Sequence, residues 1–308
     1  MRSLRSAAAL ATAVMLHAPP LPAQAPSTGL LVLLLPASPR ATALGSAWVA
    51  GRDEYSIFSN PAQIAPTSGI GAAFARYGPG AAQGALTGGA SVGSLNFGWG
   101  VQLVELRAEN DATYPFAPSA VVSTGQRSAV SFVAAAGANR VFKGFRTGLA
   151  VKYAEDRLEG LVGIVGTVGS GVPSRHLLAD AGVSHGFLSG TAALAVQNAS
   201  DDDTPHLPLQ VALGWARQFQ PGQFDLGVAT QVLERRGWVS PAGGVELGYG
   251  WIDGWSATLR AGARRPETSA QRPVTFGGAI NADRLALDYA LELYAGNRYG
   301  HHLGLRWR

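Results

Sequence analysis

Hydrophobic residues alternate with small, polar or charged residues along most of the chain after Gly69. Between Leu285 and Leu293, every odd position holds leucine or tyrosine, and every even position holds alanine, aspartate or glutamate. The same alternation recurs in the stretches 95–103, 145–153, 224–229, 255–260 and 303–308. A period of two is typical of β-strands whose two faces meet different surroundings. The sequence therefore predicts strands with one hydrophobic face and one small or polar face.

These alternating stretches are about 9 to 12 residues long, whereas strands of soluble sandwiches average about 5 to 6. The longer kind can cross a membrane at a tilt of about 45°. Short candidate turns lie at 139–144, 185–187, 220–223, 253–254 and 281–283, and longer links at 107–127, 156–175, 199–206 and 264–272. Outer-membrane barrels combine short periplasmic turns with longer external loops. We therefore expect an all-β transmembrane antiparallel barrel at 70–308, with both ends periplasmic and about fourteen strands, twelve also being compatible.

The first residues have the pattern of an export signal. Arg2 and Arg5 precede an apolar run from Ala7 to Leu16, and Ala23-Gln24-Ala25 offers a small-residue cleavage site. We expect residues 1–25 to be a signal peptide, with an uncleaved anchor helix as the alternative. Export followed by barrel formation predicts the outer membrane of a Gram-negative bacterium.

Composition narrows the possible functions. The 308 residues include no cysteine, which excludes disulfides, thiolate metal sites and a cysteine nucleophile. The 24 basic residues are scattered singly, which argues against nucleic acid as a partner. The stretch 89–93 has the spacing of a hydrolase nucleophile, but no helix is expected after it. We expect no catalytic residue, no cofactor, no metal site and hence no enzyme.

Residues 26–69 do not alternate, and they need a location. A barrel of about fourteen strands encloses more space than its own side chains fill, particularly where inward positions hold glycine or alanine. We expect this segment to form a plug, or hatch, inside the barrel. A periplasmic arm that binds a partner is the alternative.

Several motifs in this sequence resemble the PorV/PorQ family within the wider FadL-like barrels of long-chain fatty acid transporters. The N-terminal run 33–50 is followed by Asp53-Glu54 and then by Phe58-Ser59-Asn60-Pro61-Ala62. Later segments agree in order, namely 151–153, 195–198, 259–262, 287–290 and 302–306. The chain departs from the family pattern at 42–47, at Gln63 and at its final Arg308.

The resemblance implies a fourteen-stranded barrel with an N-terminal hatch and two functional branches. One branch passes hydrophobic small molecules through the outer membrane, and the other serves type IX secretion. The implied partners are outer-membrane lipids with either small hydrophobic molecules or secreted cargo proteins and secretion-system components. A non-transporting structural or surface-adhesion barrel is the alternative.

The candidate functional residues fall into two groups. Those of the hatch are Asn60, Pro61, Ala62, Arg40, Asp53 and Glu54. Those facing the lumen are Arg146, Lys152, Asp225, Arg260, Asp288, Glu292 and Arg306. Because buried charges need partners, we expect the second group to supply counter-ions for the first, with exposure at the periplasmic rim as the alternative. The Asn-Pro-Ala motif is interpreted either as shaping the hatch or as an ordinary capped turn.

Overall fold

The computed structural model of the protein contains fourteen β-strands. It describes residues 30–65, 69–77, 81–108, 127–159, 174–200, 209–235, 237–267 and 270–307. The strands are β1 Gly69–Arg76, β2 Ala81–Val92, β3 Leu95–Ala108, β4 Arg127–Phe142, β5 Phe145–Glu159, β6 Ser174–Phe187, β7 Gly190–Ala199, β8 Gln210–Phe219, β9 Phe224–Arg235, β10 Trp238–Ile252, β11 Trp255–Arg264, β12 Gln271–Ala282, β13 Leu285–Tyr294 and β14 Arg298–Trp307. The predicted signal peptide, residues 1–25, lies outside the described residues.

All strands pair in antiparallel fashion with their neighbours in sequence, and β1 pairs with β14 to close the barrel. The closing register joins Ile70 to Trp307 at one end and Arg76 to His301 at the other. Closure satisfies the edge hydrogen bonds that an open sheet would expose, as a membrane requires. The predicted fold class is confirmed, with fourteen strands rather than twelve.

The two faces of the barrel differ as the alternation predicted. On β13, Leu287 is 48% exposed, whereas Asp288 is 1% and Glu292 2% exposed. Leu149 and Leu259, each 70% exposed, belong to the same outer hydrophobic surface. A surface of this kind is stable only when lipid covers it.

Turns of two residues, and one of four at 220–223, connect strands at one end of the barrel, which we call the short-turn end. Asp253 and Gly254 join β10 to β11, with Gly254 in the left-handed region at φ 80°. We call the opposite end of the barrel the long-link end. Residues 109–126 and 160–173, which belong to links at this end, lie outside the described residues.

Several predicted link positions were inaccurate. The turn expected at 139–144 is only 143–144, because residues 139–142 belong to β4. The longer links expected at 107–127, 156–175 and 199–206 lie at 109–126, 160–173 and 200–209. The turn at 185–187 was wrong, because these residues belong to β6 and the turn follows at Leu188–Ser189. Both turn residues have positive φ without being glycine, so the turn carries no glycine or proline signal. Asn281 likewise lies in β12, before a turn at Asp283–Arg284, and the link expected at 264–272 is only 265–270.

Residues 30–65, called the N-terminal segment, lie against the inward faces of the strands. They form a short helix, α1, at Pro39–Ala43 and single 3-10 turns at Leu31–Leu33, Ser56–Phe58 and Pro61–Gln63. Ser38 caps α1 by accepting a hydrogen bond from Ala41 N at 3.2 Å. Helix α1 packs on β12 and β13, and the last 3-10 turn packs on β5 and β6. None of the helices in the described part of the chain has the length and hydrophobicity to cross a membrane.

The lipid-facing surface gives a first prediction. Leu287→Arg places a charge on the outer face and should lower folding stability in liposomes by about 2 to 4 kcal/mol if the site lies near the bilayer midplane. Ala290→Ser on the inward face of the same strand is the control and should change the free energy of unfolding much less. Urea titration in liposomes measures both, and equal losses would contradict the assignment of the faces.

Candidate functional site

The N-terminal segment runs through the lumen from one end of the barrel to the other. Leu30 and Val32 pack with Tyr77 and Leu178 near the long-link end. At the other extremity, the carbonyl oxygen of Ile64 accepts a hydrogen bond from Asn139, close to the short-turn end. The segment therefore occupies the full height of the interior.

A chain of buried ion pairs joins the segment to the wall at two points. Its members, in order, are Arg40, Glu246, Arg260, Asp288, Arg306 and Glu54. Glu246 receives guanidinium hydrogen bonds from both Arg40 and Arg260, each at 2.7 Å. Since both ends of the chain belong to the segment, the wall residues bridge two parts of it. Removing one member of such a buried chain leaves its partner uncompensated, which costs about 3 to 5 kcal/mol.

Five of the charged residues predicted from sequence belong to this chain and line the same part of the lumen: Arg40, Arg260, Asp288, Arg306 and Glu54. Glu54, from the hatch group, is its last member, with an Arg306 contact of 3.6 Å. Glu246 was missed, although it occupies an inward position in the alternating pattern of β10. A search for every acidic residue at an inward position would have included it.

The remaining lumen candidates make separate contacts. Lys152 forms an ion pair with Asp180 at 2.6 Å and donates a hydrogen bond to the carbonyl oxygen of Phe58 at 3.2 Å. Arg146 donates to the side-chain oxygen of Gln63 at 3.1 Å. Both residues thus contact the segment without forming an ion pair with its acidic residues.

Glu292 and Asp225 differ from the expected pattern. Glu292 contacts the wall residues Arg264 and His302, so its ion pairs lie within the barrel itself. Asp225 is exposed at the short-turn end and accepts a hydrogen bond from Gln220 at 3.0 Å. Its position matches rim exposure, the alternative to pairing.

Asp53 organises the segment internally. Its carboxylate accepts hydrogen bonds from Ser38 Oγ at 2.6 Å and from Tyr55 N at 2.9 Å. These bonds tie the start of α1 to the turn at Ser56–Phe58.

The Asn-Pro-Ala motif is a capped turn that fits closely against the wall. Asn60 Oδ1 accepts from Ala62 N at 3.0 Å, and Asn60 Nδ2 donates to Val49 O at 2.8 Å. Asn139 donates to the carbonyl oxygens of Pro61, Ala62 and Ile64. The capped-turn interpretation describes its local geometry.

Glycine on the wall permits this close approach. A Cβ built on Gly148 would lie 2.4 Å from the carbonyl carbon of Pro61, and one on Gly182 would lie 1.9 Å from Asn60 Oδ1. Any larger residue at either site would have to displace the motif.

Amide side chains of the wall satisfy much of the segment's backbone. Gln83 donates to Pro36 O, Gln102 to Val32 O and Leu35 O, and Gln197 to Phe58 O, while Gln231 accepts from Trp48 N and Val49 N. Buried backbone groups need such partners when they do not join a sheet. The wall therefore holds the segment through side chains.

A cavity of about 140 Å³ lies between the segment and the wall towards the long-link end. The segment contributes Leu33, Trp48, Tyr55 and Phe58 to its lining. The wall contributes four glutamines and several charged residues, namely Gln197, Gln210, Gln231, Gln271, Arg235, Arg264, Arg265, Glu267 and Glu292. The segment thus gives the cavity an aromatic and aliphatic side, and the wall gives it a largely polar side.

Within the described residues, no group of three or more potential ligands is placed to hold a metal ion. The stretch 89–92 ends β2 and leads through the turn at 93–94 into β3.

Solved structures with a similar fold include two of TodX. The Pseudomonas putida toluene transporter TodX superposes with a TM-score of 0.56 and 12% identity, covering 87% of this chain and 96% of TodX. The TodX deltaS2S3 mutant monoaromatic hydrocarbon channel gives a TM-score of 0.52 and 13% identity, covering 82% and 93%. No family model matches the sequence. No curated protein matches it significantly.

At these identities the likeness establishes the fold, a barrel of the outer-membrane type. The PorV/PorQ assignment is not confirmed, and it rests on the sequence motifs alone. The comparisons likewise give no support to the type IX secretion branch.

The ion-pair chain gives a second prediction. Arg40→Met should lower the free energy of local opening of α1 by about 3 kcal/mol, because Glu246 loses one of its two cations in a buried site. Hydrogen exchange of the α1 amides measures this loss, while the barrel amides should keep their protection. Arg217→Met, a half-buried arginine near the short turns that contacts no residue of the segment in the described hydrogen bonds, is the control and should change exchange little. Unchanged protection of α1 in Arg40→Met would show that the chain does not hold the segment.

Proposed function

We propose that the protein is an outer-membrane channel for small hydrophobic molecules and that the N-terminal segment is its plug. The observation that carries the proposal is the cavity between the segment and the wall. It lies near the long-link end, which is the external end in outer-membrane barrels. A hydrophobic molecule arriving from outside would meet this cavity before the tightly packed part of the plug near the short-turn end.

The attachment of the plug also supports the proposal. Residues 30–65 join the wall through ion pairs and side-chain amides rather than through β-pairing. Such contacts can break without opening the barrel, whose backbone hydrogen bonds run between strands. The plug can therefore shift while the barrel stays closed.

The similarity to TodX agrees with this proposal, because its structures are described as a toluene transporter and a monoaromatic hydrocarbon channel. The lipid-facing surface described above fits an outer-membrane location. The signal peptide predicted at residues 1–25 fits the same location.

The proposal predicts faster entry of a hydrophobic molecule into intact cells. Gram-negative cells that produce the protein should take up labelled toluene at low concentration several-fold faster than cells with an empty vector. They should keep their resistance to vancomycin, a bulky polar antibiotic, because the plug stays in place. Initial uptake rates and inhibitory concentrations are the two measurements.

Gly148→Val tests the plug in the same cells. The added side chain clashes with Pro61 and should loosen the part of the plug near the short-turn end. Vancomycin resistance should therefore fall. The barrel should still migrate as a folded, heat-modifiable band. Gly84→Val is the matched control, since a Cβ there meets no atom within 4 Å. Toluene uptake equal to that of the empty vector would contradict the channel, and identical resistance of the two glycine variants would contradict the plug.

A further inference from the structure

An ion pair lies at the long-link edge of the cavity between the plug and the wall. Arg235 is the last residue of β9, and its Nη2 donates to Oε2 of Glu267 at 2.8 Å. Glu267 belongs to the link between β11 and β12, so the pair bridges across β10, which lies between β9 and β11 in the barrel. Both side chains line the cavity. The pair therefore joins the wall to a link on the side from which a molecule would enter.

The arginine has a second contact on the wall. The guanidinium carbon of Arg235 lies 5.2 Å from the ring centroid of Trp238, the first residue of β10. A guanidinium group over an aromatic face is stabilised by the electron-rich ring. Arg235 can therefore keep its position on the wall when Glu267 leaves.

The link that carries Glu267 has a fixed base and a separate tip. Its base, Arg265, forms three hydrogen bonds of 2.9 to 3.3 Å with β10. The partner atoms on β10 are Val239 O, Ser240 Oγ and Pro241 O. Glu267 lies two residues further on, where its backbone N donates to Gln271 Oε1 at 2.9 Å and its carboxylate accepts from Arg235. The tip can therefore move while the base stays bound to β10.

The edge pair is less buried than the ion pairs that attach the plug. The side chains of Arg235 and Glu267 are 10% and 19% exposed, whereas those of Arg260 and Asp288 in the buried chain are 3% and 2% exposed. Water solvates the separated charges of an exposed pair, so breaking that pair costs much less than breaking a buried one. The edge pair should therefore open before the plug moves.

We infer that the Arg235–Glu267 pair is a gate that sets the width of the entrance to the cavity from the long-link end. In the closed gate, Glu267 reaches across β10 to Arg235. In the open gate, the tip of the link moves away, and Arg235 stays on Trp238. The inference rests on the proposed channel and assigns the control of entry into its cavity. It requires no displacement of residues 30–65.

A cysteine pair can lock this gate, because the chain contains no cysteine of its own. Arg235→Cys with Glu267→Cys, joined in intact cells by a short bifunctional methanethiosulfonate reagent, should take up labelled toluene several-fold more slowly than before the treatment. Reduction with dithiothreitol should restore the rate. Arg175→Cys with Glu155→Cys is the matched control, since this ion pair also lies towards the long-link end but does not line the cavity. Its cross-link should leave uptake unchanged.

Removal of the ion pair should widen the entrance. Arg235→Gln and Glu267→Gln, each alone, should raise the uptake of naphthalene relative to toluene several-fold, because naphthalene is the larger molecule. The charge-swapped variant, Arg235→Glu with Glu267→Arg, should restore the wild-type ratio. Heat-modifiable migration on gels checks that each variant folds.

Two results would overturn the gate. One is unchanged toluene uptake in the doubly substituted protein once mass spectrometry shows the cross-link. The other is an unchanged ratio of naphthalene to toluene uptake in both glutamine variants. In either case, wild-type toluene uptake above the vector level would leave the channel standing, whereas uptake at the vector level would reject the channel and the gate together.

Discussion

The structure depends on hydrogen bonds to a backbone segment that lies inside the closed barrel without forming a strand. Residues 30–65 cross the lumen without joining the sheet, and their buried peptide groups need hydrogen-bond partners. Gln83, Gln102, Gln197 and Gln231 provide them from four different strands. The ion-pair chain that begins at Arg40 adds charged contacts between the segment and the wall. The inward face is therefore as much a binding surface for the segment as a wall.

This requirement explains the composition of the inward face. Glycine occurs where the segment's backbone comes closest: a Cβ on Gly262 would lie 2.1 Å from Gly45 N. Glutamine side chains of the wall lie where the backbone C=O and N–H groups of the segment need hydrogen-bond partners. Acidic residues and arginines of the wall lie where they form ion pairs with Arg40 and Glu54. The cavity towards the long-link end is one part of the described interior where this packing is incomplete. The proposed ligand binding and the attachment of the N-terminal segment thus use adjoining parts of one surface.

The alternation of residues was enough to predict the barrel and both of its faces, because membrane strands have a strict period of two. Arg260, Asp288 and Arg306, which it assigned to the inward side, are buried in the structure. Turn positions such as Leu188–Ser189 could not be predicted, since left-handed residues other than glycine leave no clear mark in a sequence. The pairing of Arg40 with Glu246 and of Glu54 with Arg306 depends on the path of the segment, which has no periodic pattern.

The central claim is that the N-terminal segment fills the lumen and controls passage through it. Single-channel recording of the protein lacking residues 30–65, with the signal region retained, tests this claim most directly. The account predicts that the shortened protein still migrates as a folded, heat-modifiable barrel and that its conductance rises well above that of the full chain. A folded barrel with unchanged conductance would contradict the account.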